Sequence, residues 1–115
     1  MANTFKVITK AGVTSADVIY TVAGSTTTVI LGLMLGNTTS GSSNATVTLG
    51  TDTANRAGDN NEPNEAVELL TTTAIPGNTT LELLSGNKVV METTDTLSVT
   101  GSAALDVVLS VMEIT

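Results

Sequence analysis

"VAGSTTTVILGLMLGNTTSGSS" spans Val22 to Ser43, and its apolar centre, Val29 to Leu35, decides how the chain folds. Val29, Leu31, Leu33 and Leu35 alternate with Ile30, Gly32, Met34 and Gly36, and a period of two is the signature of a strand. A short buried helix is the rival reading. Gly32 and Gly36, together with the β-branched lead-in Thr26 to Ile30, weigh against it. The first set of side chains is uniformly large, as a core face should be. The second alternates large residues with glycine, which predicts close approach by another layer or chain and makes Ile30 and Met34 candidate interface residues. The run is far shorter than the roughly 20 apolar residues that cross a bilayer. A central strand, buried on both sides or buried on one and used as an interface on the other, is the expectation.

Working outward, the same alternation recurs between turn signals. Thr4 to Lys10 sets Phe5, Val7 and Thr9 against Lys6, Ile8 and Lys10, and its two lysines suit an edge strand. A turn at Ala11–Ser15 leads to Asp17–Val22, with Val18, Tyr20 and Val22 expected on one side. Beyond the loop Gly36–Asn44, Ala45, Val47 and Leu49 alternate with Thr46 and Thr48. Ala66–Thr73 and Thr79–Leu84 read as strands, and Ser85-Gly86-Asn87 predicts a tight hairpin loop with Lys88–Glu92 as its return. Thr96–Thr100 and Leu105–Ile114 complete about eight short strands. The spacing predicts an all-β fold, an antiparallel β-sandwich of jelly-roll type, in a single domain covering residues 1–115. Val22-Ala-Gly-Ser-Thr-Thr is echoed by Ile75-Pro-Gly-Asn-Thr-Thr, each leading into an apolar strand, which suggests corresponding strands of paired sheets.

Composition agrees. Thr supplies about a fifth of the 115 residues, glutamine is absent, and Phe5 and Tyr20 are the only aromatics, so the core must be built from aliphatic side chains and Met. A chain of this length can bury a real core without metals or disulfides. With no cysteine there is no thiol chemistry and no disulfide framework. Eleven acidic residues against four basic ones argue against nucleic acid or an anionic membrane as partner. "MANTFKVITK" carries no basic-then-apolar signal pattern, and the sequons at Asn37, Asn44 and Asn78 are read as chance in a chain so rich in Asn and Thr.

Catalytic chemistry has little to work with. Histidine and cysteine are both absent, which removes the usual general base and thiol nucleophile. The carboxylates are scattered over turns and outward strand positions, so no enzyme and no cofactor is expected. The long polar loop 50–65, "GTDTANRAGDNNEPNE", is the exception to the even spacing, and loops of this length tend to be functional. Its Asp52, Asp59 and Glu62 are the candidate metal ligands. Calcium needs six to eight converging oxygens, however, and the loop lacks the glycine at the sixth position and carries Pro63. Contact with a partner is the preferred reading, with Arg56, Asn60 and Asn61 as interface candidates beside Ile30 and Met34.

Two runs, "VIYTVAGSTTTVILGLMLGNTTSGSSNATVTL" (Val18 to Leu49) and "IPGNTTLELLSGNKVVMETTDTLSVTGSAALDVVLSVMEIT" (Ile75 to Thr115), together resemble small virion structural proteins of tailed bacteriophages, particularly marine and cyanobacterial ones. The resemblance covers most of the chain outside Gly50 to Asn64. It implies a non-enzymatic sandwich or jelly roll located in the virion and assembled in the host cytoplasm. Its role would be that of a capsid decoration (cement) protein, with the major capsid protein or other virion proteins as partners and a homo-oligomer, a trimer foremost, as the assembly state. The alternative is a small tail, neck or fibre-associated component with a host-glycan or receptor-binding role.

Overall fold

The computed structural model describes residues 2–51, 66–84 and 87–115. These form nine strands: β1 (Asn3–Val13), β2 (Asp17–Thr21), β3 (Thr27–Asn37), β4 (Ser43–Gly50), β5 (Ala66–Ile75), β6 (Thr80–Leu83), β7 (Val89–Met91), β8 (Thr96–Gly101) and β9 (Leu105–Ile114). All pairings are antiparallel. One sheet, here sheet A, runs β1-β9-β3-β6, with β7 also on β3. The other, sheet B, runs β2-β8-β4-β5.

β6 and β7 occupy a single row. β6 pairs residues 33–36 of β3, whereas β7 pairs residues 28–30. The two segments therefore lie end to end along one edge of β3 and do not pair with each other. That corrects the expected hairpin: the Lys88–Glu92 segment continues the direction of β6 instead of returning along it. Of the expected hairpin loop, Ser85 and Gly86 lie outside the described residues.

With β6 and β7 taken as one interrupted strand, the fold is one long hairpin. β4 pairs β5 at its tip, β3 pairs the β6–β7 row, β2 pairs β8, and β1 pairs β9 at its open end. Winding brings β9 beside β3 and β8 beside β4 as well, which is the jelly-roll arrangement. The polar stretch 50–65 joins β4 to β5 at the tip.

The echo between Val22-Ala-Gly-Ser-Thr-Thr and Ile75-Pro-Gly-Asn-Thr-Thr has a structural counterpart. Val22 and Ile75 are both buried. Three residues on, Ser25 and Asn78 both adopt a left-handed backbone, with φ 54° and 59°. Each turn carries the chain from sheet B into sheet A, onto the neighbouring strands β3 and β6. The expectation that they open strands of two paired sheets is thereby corrected: both open strands of one sheet, which pair with each other.

Between the sheets lies an aliphatic core in which Ile30, Leu33, Leu35, Val47, Leu97 and Leu109 are among the fully buried side chains. β3 departs from the expected strict alternation. Its register on β9 steps from Ile30↔Val111 to Gly32↔Ser110, so Leu31 is an extra residue, a β-bulge. Before the bulge Thr28 and Ile30 face inward; after it Leu33 and Leu35 do. A similar step between Val18 and Tyr20 on β2 buries Tyr20 and Val22 but leaves Val18 exposed. The expectation that Val18 shares their side is corrected accordingly. β1 is an edge strand, as its lysines indicated, and it extends through the expected turn as far as Val13.

Candidate interaction surface

The bulge corrects one interface candidate. Ile30 is fully buried in the chain's own core, because the extra residue Leu31 reverses the phase of β3 between it and Met34. Met34 remains 40% exposed on the outer side of sheet A. Arg56, Asn60 and Asn61, with the metal candidates Asp52, Asp59 and Glu62, lie outside the described residues. Among the described residues no three acidic side chains converge in a metal-binding group.

The outer side of sheet A presents what the sequence reading did not assemble. Along one register row, Phe5 of β1 pairs Met112 of β9, Met112 pairs Val29 of β3, and Val29 pairs Val90 of β7. The four side chains form an apolar stripe across the full width of the sheet. Phe5 is 71% exposed and Val90 54%. A second row sets Thr9, Val108 and Met34 beside Glu82. Between the rows the backbone partners are the small residues Ser110 and Gly32. Opposite the interruption between β6 and β7 they floor an open hollow of about 310 Å³, with Leu31 and Met34 on its walls and Glu82 and Lys88 among its charged lining residues. A Cβ added at Gly32 would meet nothing within 4 Å, so among the described residues no second layer covers that position.

Sheet B offers a contrast from the same chain. Its corresponding outward row reads Val18, Ser98, Thr48 and Glu68. Apart from the exposed Val18, this row of sheet B is polar, and the opposite face carries a continuous apolar band of the kind that marks contact surfaces. Strand periodicity could indicate which residues point outward. The row needed the register of four strands that are distant in sequence.

A polar cluster closes one end of the sandwich. The Tyr20 hydroxyl donates to Glu113 Oε2 at 2.5 Å. Having given its single proton, it accepts from Thr28 Oγ1 at 2.7 Å. Lys6 Nζ pairs with Glu113 Oε1 at 2.7 Å. The cluster ties β1, β2, β3 and β9 together. Burial first, and then the hydrogen bond to Glu113, push the Tyr20 phenol up to about 12. Lys6 first and Tyr20 second hold the Glu113 carboxyl below its ordinary value. These groups satisfy one another, and their work is structural.

A second buried polar site pins the loop after β3. Asn37 is 2% exposed, and its side-chain amide donates to the carbonyls of Gly41 and Ile75, each at 2.8 Å. Its oxygen accepts from the Thr39 amide at 2.9 Å. Asn37 is therefore engaged inside the fold, its side-chain nitrogen occupied by two carbonyls.

No protein-family model matches the chain, and no curated protein matches it. Among solved structures, the chain is similar to a protein of Bacillus endospore appendages, described as a novel family of disulfide-linked pili. Identity is 15%, the TM-score is 0.51, and the match covers 97% of this chain and 84% of that one. At that identity the likeness is one of fold. The 115 residues here contain no cysteine, so the disulfide linkage named for that protein has no counterpart in them.

Proposed function

We propose that this protein is a non-enzymatic structural subunit that assembles with further copies of itself through the outer side of sheet A. The observation that carries the reading is the Phe5–Met112–Val29–Val90 row, an apolar stripe crossing a whole sheet whose opposite number on sheet B is polar apart from Val18. Covering large exposed aliphatic and aromatic side chains is favourable by roughly 25 cal/mol per Å². Self-complementary or ring-forming contacts of one patch are the usual route to symmetric assemblies. The fold likeness to a pilus subunit accords with structural use of such a sandwich.

Within that class, the resemblance of Val18–Leu49 and Ile75–Thr115 to small phage virion proteins favours a capsid decoration protein, held as a trimer on a lattice of major capsid protein. The test is copy number per purified particle, measured by quantitative mass spectrometry against the major capsid protein. Hundreds of copies support decoration. A few to a few dozen move the protein to a tail, neck or fibre position, and absence from particles removes the virion reading while leaving self-assembly to be tested separately.

A further inference from the structure

β1 is held in an unusual way. Of its eleven residues only Val13 is buried and only Ile8 is half-buried; the rest are exposed. Phe5 and Val7 are 71% and 62% exposed on the outer side. The inward-facing side chains Lys6 and Lys10 are each about half exposed as well. The strand is therefore scarcely covered by sheet B, which it meets only marginally through β2 and β8. What fixes it is the ladder to β9, extended by reciprocal backbone hydrogen bonds between Ala2 and Thr115 of 3.1 and 3.0 Å. Ordering ten residues for a hydrogen-bond ladder with so little burial leaves a segment whose conformational entropy is poorly offset.

Its charge differs from the body's. β1 carries Lys6 and Lys10, two of the four basic residues, and all eleven acidic residues lie from Asp17 onward. Each lysine meets a carboxylate of the body: Lys6 on Glu113 at 2.7 Å and Lys10 on Asp17 at 3.5 Å. Where β1 joins the body its ladder is interrupted. The register on β9 breaks between Lys10 and Val13. Gly12 there sits at φ +67° with nothing within 4 Å of an added Cβ, and its amide donates to Asp106 Oδ1 at 3.0 Å. Such a backbone favours glycine, and on its far side Val13 is anchored in the core.

From this we infer that β1 is an exchangeable arm, which in the assembled protein lies along β9 of a second copy of this chain. The occupant is a second copy because every partner the arm uses, the β9 edge, Glu113 and Asp17, is present on every copy in the same arrangement. A basic arm on an acidic body also finds complementary charge there. Exchange of an identical element leaves those contacts unchanged and links the subunits at little cost in free energy. The arm reading stands on β1 alone, independently of the outer-face contact proposed above.

The chain's lack of cysteine makes disulfide trapping unambiguous. Val7 and Ser110 are register partners on β1 and β9, and opposed residues of an antiparallel pair lie within disulfide range. Val7→Cys and Ser110→Cys are made in separate chains, co-expressed in one cell, purified together and oxidised. The control pairs are Val7→Cys with Ser98→Cys on the outer side of sheet B and Val7→Cys with Val90→Cys on the outer side of sheet A, where contact between outer faces would link copies without exchange. Exchange predicts a disulfide-linked heterodimer severalfold more abundant than in either control. Two results overturn the inference. One is a heterodimer no more abundant than in the controls, with the Val7→Cys/Ser110→Cys double variant closing within single chains. The other is a Val7→Cys homodimer as the main product, which places two arms edge to edge. If either variant fails to fold, Thr9→Cys with Val108→Cys repeats the test one row along. Loss of assembly in Val90→Ser or Met34→Ser, neither of them on β1, reports on the outer-face contact separately.

Discussion

Tyr20, Thr28, Glu113 and Lys6 show how single residues seal an all-aliphatic sandwich. Tyr20 is the only tyrosine, so ultraviolet titration of the phenolate reads this site alone. The folded protein should titrate near 12, against about 10 for the unfolded chain. Between those values the folded state holds the proton more tightly, so stability falls as pH rises through that window. Glu113 works in the opposite direction. Its folded value is depressed by Lys6 and Tyr20, so its contribution is present at neutral pH and is lost as pH falls through the depressed value. Urea melts from pH 7 downward should show a shallower loss of stability in Glu113→Gln than in the parent chain. Equal slopes would show that the cluster is not what the acid limb reports. Gly77 supplies a steric test at the same scale. A Cβ there would collide with the Ser40 carbonyl and approach Thr39 O at 2.9 Å. Gly77→Ala should therefore cost about 1–3 kcal/mol in chemical denaturation, as overpacking does.

At the scale of the element, β3 carries both the legible and the hidden parts of the fold. Its strand character was readable in the alternation of Val29 to Leu35. Its inward set was only half readable, because the bulge at Leu31 is fixed by pairing with β9 and not by any local pattern. Leu33→Ala should cost about 2–5 kcal/mol, as expected for a fully buried leucine. Met34→Ser, one residue on but outward, should leave monomer stability within about 0.5 kcal/mol. Comparable losses at the two positions would show that the phase after the bulge is wrong. The row opposite β3 teaches the same lesson. Ser85-Gly86-Asn87 has hairpin chemistry, yet β6 and β7 both pair with β3, since β3 offers each of them a full antiparallel partner along one edge. A turn signal reports that the chain breaks its strand; the partner decides where the next strand goes.

At the scale of the molecule, the two sides of the sandwich differ in what they can meet. If the outer side of sheet A joins copies, replacing Val90 with Ser should weaken association several-fold. Val90 is 54% exposed in the single chain, so about half of the roughly 1.5–3 kcal/mol of burying a valine remains to be gained at the contact, where about 1.4 kcal/mol is a factor of ten. Sedimentation across a concentration series checks this, with Thr48→Ala on the polar side as the comparison that should leave association unchanged. The amino-acid sequence by itself determined the class of fold. Frequent Thr and Val, period-two alternation and evenly spaced turns are local properties of strands, and the absence of histidine and cysteine is a property of composition. The paired turns at Val22 and Ile75 were legible for the same reason, because each needs a left-handed residue at one local position. Only the tertiary structure decided that Ile30 is core while Met34 is surface. It alone also aligned Phe5, Met112, Val29 and Val90, drawn from four strands, into one stripe. Register and burial arise from pairings between segments far apart in the chain, and no local pattern encodes which distant strand will lie alongside.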